Sequence, residues 1–94
     1  MKFLLTFSFK SEVKGRDEAI ARFKQTGGHP PKGVRLLGRW TASDMTGGYA
    51  LVETEDQKPL ANFCLGWSDL TDLKLIPVLT DEDLTEVFKS AGKF

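Results

Sequence analysis

With 94 residues and a mass of 10.5 kDa, the chain has room for one compact domain, residues 1–94, and not for two. Leu, Ile, Val and Phe supply 26 of the 94 residues, which excludes an intrinsically disordered polymer. A single Cys excludes a disulfide framework or thiolate metal cluster within the chain. No apolar run reaches the roughly 18 residues of a membrane span, and the amino terminus lacks a signal peptide's layout, so a soluble cytoplasmic domain is expected.

Thirteen basic and thirteen acidic residues give zero net charge, but the charges are unevenly placed. Residues 1–40 hold nine Lys or Arg against three acids, and residues 41–94 hold four against ten, so the halves carry +6 and −6. No run of five or six like charges occurs, which favours neutralisation across the fold over a nucleic-acid or membrane surface.

Taken in chain order, KFLLTFSF at residues 2–9 alternates Phe3, Leu5, Phe7 and Phe9 with Lys2, Leu4, Thr6 and Ser8, the period of a strand. After Gly15, the segment RDEAIARFKQT places Ala19, Ile20 and Phe23 at helical spacing, with Asp17 and Glu18 in the first turn. Gly27-Gly28 stops this helix, and His29-Pro30-Pro31 cannot continue it. VRLLGRWT at 34–41 and YALVET at 49–54 read as two strands joined by the loop ASDMTGG, a long-looped hairpin. Asp56 can cap a second helix carrying Leu60, Phe63, Cys64 and Trp67 on one stripe. LKLIPVL at 73–79 is a fourth strand, and Pro77 predicts a sheet edge because it cannot donate to a ladder. Thr80 and Asp83 form a capping-box pattern opening a third helix through Leu84, Val87 and Phe88.

The order βαββαβ, with right-handed crossovers, predicts an α+β ferredoxin-like protomer. It has a four-stranded antiparallel sheet, both main helices on one face and an extra C-terminal helix. Parity assigns Phe3, Leu5, Phe7, Leu37, Val52, Leu73 and Leu75 to the helix side. Leu4, Thr6, Ser8, Leu36, Trp40, Tyr49, Leu51, Glu53, Lys74, Ile76 and Val78 fall on the open side. More than half of the open set is apolar, whereas a solvated face is mostly polar. A second copy packed sheet on sheet covers such a face most simply, so a homodimer is expected.

Four short motifs also resemble a small bacterial family of unknown function: GRW at Gly38–Trp40, ALVET followed by Asp56, Trp67-x-Asp69-Leu70, and Pro77-Val78-Leu79 leading to Asp81-Glu82-Asp83. That family is grouped with the dimeric α/β-barrel superfamily, and the resemblance spans nearly the whole chain. It implies a protomer that dimerises through its sheets, as a ligand binder or as a cofactor-independent monooxygenase- or isomerase-like enzyme, and names no reaction. Members of the family often carry a His directly after the GRW tryptophan, where this chain has Thr41.

Candidate chemistry is sparse. His29 is the one histidine and sits in a loop sequence, short of the ligands a metal site needs, so no metal and no cofactor are expected. Cys64 falls on an apolar stripe, where a thiol behaves as a small hydrophobe with a raised pKa. Neither glycine pair leads into a helix as a phosphate cradle must. RNA-recognition motifs share this topology, and Gly48–Val52 imitates part of their third-strand signature. The basic residue and second stacking aromatic are replaced by Gly47 and Leu51, so nucleic-acid binding is not expected.

The open face is therefore the predicted site. Trp40 and Tyr49 flank the hairpin loop, with Glu53, Thr6 and Ser8 nearby, an arrangement suited to a small organic molecule between two sheets. Desolvation there would raise the pKa of Glu53 toward general-base work. The alternative is that these side chains simply pack a structural dimer, with Glu53 paired to Lys74 or to Arg39 of a partner. Trp40 is expected at the mouth of the cleft, and Trp67 buried under the second helix.

Overall fold

The computed structural model describes residues 1–11 and 14–92. Its elements run β1 (Lys2–Phe9), α1 (Gly15–Thr26), β2 (Val34–Thr41), β3 (Gly47–Thr54), α2 (Gln57–Trp67), β4 (Thr71–Val78) and α3 (Asp81–Ala91). The four strands form one antiparallel sheet in the order β2-β3-β1-β4, which with α1 and α2 is the ferredoxin-like arrangement. Pro77 lies in the edge strand β4, where a missing N–H costs no ladder bond. None of the described helices is long and apolar enough to cross a membrane.

Local chemistry explains the helix ends. Gly27 closes α1 at φ 74°, a left-handed conformation that glycine adopts without steric cost. The Asp56 carboxylate accepts the Lys58 N–H at 3.0 Å and opens α2. Thr80 and Asp83 form a reciprocal box: the Asp83 N–H donates to Thr80 Oγ1 at 3.1 Å, and the Thr80 N–H donates to Asp83 Oδ2 at 3.2 Å.

The strand parities hold in β1, β3 and β4 and change in β2. Leu36 pairs with Val52 but Gly38 pairs with Leu51, so one extra residue is accommodated between them as a bulge. Leu36 consequently packs against the core on the helix side, not on the open face. Leu37 is 37% exposed and does not join that core. Beyond the bulge Trp40 still pairs with Tyr49 on the open side, as its parity predicts.

Phe3, Val34, Val52 and Leu60 form the buried core, with Leu36 and Cys64 against it. They fill the end of the helix–sheet interface where β1 begins. At the other end the floor of the sheet narrows to Gly48 and Ala50 on β3, and the space above is not filled. The α3 helix buries none of its residues, and the chain's radius of gyration is 15.6 Å, against about 12 Å for a compact chain of this length. The molecule measures 52 × 29 × 18 Å, an elongated shape.

Candidate functional site

The unfilled end of the helix–sheet interface is a cavity of about 630 Å³, within the range of small-molecule sites. Ala19, Ile20 and Phe23 of α1 and Phe63, Cys64 and Trp67 of α2 form its roof, while Leu5, Phe7, Phe9, Ala50 and Leu73 form its floor. Phe7 and Phe9 meet edge to face with ring centres 6.0 Å apart. Phe23 and Met45 line the cavity and are 46% and 41% exposed, so they mark its mouth. Small floor residues explain the space: where Val52 fills one end, Ala50 stands at the other, and the Phe7 ring lies over Gly48 in place of a side chain there.

Polar groups in the lining are few: Arg39, Thr41, Cys64 and Thr71. The Thr71 hydroxyl is committed to the Trp67 carbonyl at 2.7 Å. Burial pushes the Cys64 thiol above its ordinary pKa, as expected on an apolar stripe. Arg39 enters from β2, where the bulge leaves it facing the helices opposite Ala50. Its guanidinium donates to the carbonyls of Gly28 at 2.6 Å and Gly27 at 3.1 Å, and lies 4.9 Å from the centre of the Phe23 ring. The carbonyl end of α1 is a favourable place for a cation.

Trp67 is half-buried at the cavity wall, not enclosed beneath α2 as expected from its helical stripe. Arg22 lies 5.2 Å from its ring and grips Asp69 with two bonds of 2.9 and 2.7 Å. This pair ties α1 to the turn before β4.

On the open face, the predicted site residues fall into two groups. Trp40 and Tyr49 are cross-strand partners, 60% and 51% exposed, and Thr6 lies opposite Tyr49 on the next strand. A Cβ on Gly38 would collide with the Trp40 indole, so the ring lies across that glycine. Ser8 is exposed opposite Gly47. Glu53 sits four residues from Tyr49, about 13 Å away along the strand, and does not join this group. It pairs with Lys2 at 2.9 Å and Arg35 at 3.5 Å, not with Lys74. The Lys2 hydrogen bond and charge hold its carboxyl below the usual range in the protomer, opposite to the direction general-base work would need. His29 is exposed in the loop after α1, and no cluster of metal-ligating side chains occurs among the described residues.

Sequence periodicity located every roof residue of the cavity but read them as packed core. The available signal was on β3, whose helix-side positions Gly48 and Ala50 are too small to meet two aromatic-bearing helices.

The molecule is thus an α+β protein of ferredoxin-like fold with a hollow between its helices and its sheet. A family described as a domain of unknown function, DUF3303, matches residues 1–92, and the chain belongs to that family. Comparison with curated proteins and with solved structures gives no match.

Proposed function

We propose that this chain is a one-domain small-molecule binder, holding an apolar organic compound in the helix-side cavity and working as a symmetric homodimer. The observation that carries the first part is the 630 Å³ space lined by Phe7, Phe9, Phe23, Phe63 and Trp67. An open apolar space of that size leaves aromatic surface in contact with water, and an apolar occupant would remove that surface from it. The polar groups in the lining suit recognition, with one fixed cation and hydroxyl and thiol groups at the wall. Calorimetric titration with compact apolar compounds tests this reading: saturable one-to-one binding supports it, and no binding by any compound refutes it.

The second part rests on the open face. Trp40, Tyr49 and Ile76 there are 60%, 51% and 43% exposed, and Leu79, Leu84 and Val87 on or beside α3 are 62%, 39% and 48% exposed. Zero net charge lets two copies approach without net repulsion. Four strands of eight residues present a face of about 26 by 19 Å, or roughly 500 Å². A stable dimer buries about 800 Å² per partner, so the apolar stripe of α3 would have to contribute as well. On this reading Trp40, Tyr49, Thr6 and Ser8 pack against the second copy, and the ligand lies on the opposite side of each sheet.

A further inference from the structure

We propose that the cavity selects an organic anion, a compact apolar body bearing one carboxylate that pairs with the guanidinium of Arg39. This deepens the small-molecule reading and rests on it. Arg39 is the one charged side chain in the described lining. The chain's other three arginines each have a carboxylate in ion-pair range: Asp17 for Arg16, Asp69 for Arg22 and Glu53 for Arg35. Arg39 has none among the described residues.

A guanidinium carries five N–H donors, of which Arg39 commits two, to Gly28 and Gly27, leaving three with no hydrogen bond among the described residues. The end of the α1 dipole compensates only about half a charge. Arg39 is partly buried against the Phe23 ring and has no counter-ion among the described residues, so an anion entering the cavity meets an unpaired cation in a partly desolvated setting. Burial lowers the pKa of Arg39, while pairing with Asp69 raises that of Arg22. The placement is also built in: Gly28 has φ +60°, and a Cβ there would stand 2.9 Å from Arg39 Nη1. One planar fork matches one carboxylate, and the aromatic lining accepts the apolar remainder.

The test compares adamantane-1-carboxylate with neutral adamantane-1-carboxamide by calorimetry at pH 7, on the natural protein and on Arg39→Gln and Arg39→Lys. The natural protein should favour the carboxylate by about tenfold, the effect of a charged hydrogen-bonded pair. Arg39→Gln should erase that preference while changing carboxamide affinity by less than about twofold, and Arg39→Lys should keep part of it. Should Arg39→Gln fail to fold, the natural protein still decides: carboxylate binding should weaken as the acid is protonated below about pH 5, with carboxamide binding unchanged. Equal binding of both compounds, or a preference that survives Arg39→Gln, overturns anion selection and leaves the cavity reading standing. Binding of neither compound overturns both.

Discussion

Arg39 and Trp40 are consecutive in β2 and serve opposite faces of the sheet: Arg39 pairs with buried Ala50 under the helices, and Trp40 with exposed Tyr49 on the open side. The bulge between Leu36 and Gly38 sets this division. It turns Leu36 into the core and delivers the guanidinium to the cavity. Two surfaces with different uses therefore meet within one dipeptide, and each can be perturbed without the other.

Leu60 is 1% exposed and anchors α2 onto Val52 and Phe3. Leu60→Ala should cost about 3 kcal/mol and lower the melting temperature by roughly 15 °C. Thermal unfolding followed by circular dichroism checks this, and a shift of only a few degrees would show that α2 does not depend on this contact.

Cys64 is half-buried at the cavity wall, and its thiol is pushed up by burial. Its reaction with iodoacetamide at pH 7 should be slower than that of an unstructured cysteine peptide, because less of it is thiolate. Saturating adamantane-1-carboxylate should slow it further. Unchanged labelling in the presence of bound compound would place that compound elsewhere.

Sedimentation at micromolar concentration should give about twice the 10.5 kDa chain mass. Leu51→Glu should yield monomer or aggregate, since a buried unpaired carboxylate costs several kcal/mol. Truncation after Leu79 removes a helix with no fully buried residue in the protomer, so the fold should survive while the dimer weakens. A natural chain sedimenting at about 10.5 kDa at all concentrations would refute the dimer.

The Lys2–Glu53 pair predicts a pH dependence with a definite sign. The Glu53 carboxyl is held below its ordinary value, so its contribution is present above the unfolded pKa of about 4.3 and is lost as pH falls through the lower folded value. The melting temperature of Glu53→Gln should therefore fall less steeply between pH 5 and about 3 than that of the natural protein. Parallel pH profiles would show that the pair adds nothing, as for many exposed ion pairs.

Much of this architecture could be read from residue order. Alternation in KFLLTFSF, the Asp56 cap, the Thr80–Asp83 box and Pro77 at an edge all act through local chemistry, and the structure contains each of them. The bulge was harder, because Leu36-Leu37 offers two apolar residues for one core position and periodicity alone assigns the wrong one. Gly38 just beyond them is the available signal, as a glycine inside a strand often marks such an insertion. The cavity was not legible from the helices at all. A stripe of Phe63, Cys64 and Trp67 looks the same whether the facing sheet meets it or not, and only the small side of β3, at Gly48 and Ala50, distinguishes the cases. Arg39 follows from the second miss alone: its parity already matches the helix side, but with the space unrecognised its only expected use is as a partner for Glu53 across a dimer.

The most direct test uses the two tryptophans as position markers, because Trp67 lines the cavity and Trp40 lies on the open face. Adamantane-1-carboxylate neither absorbs nor emits where tryptophan does, so any change in emission on titration reports contact with the indole environment. The account predicts that the change persists in Trp40→Phe and disappears in Trp67→Phe. A change that persists in Trp67→Phe and disappears in Trp40→Phe would put the ligand between the sheets and contradict the assignment of the cavity as its site.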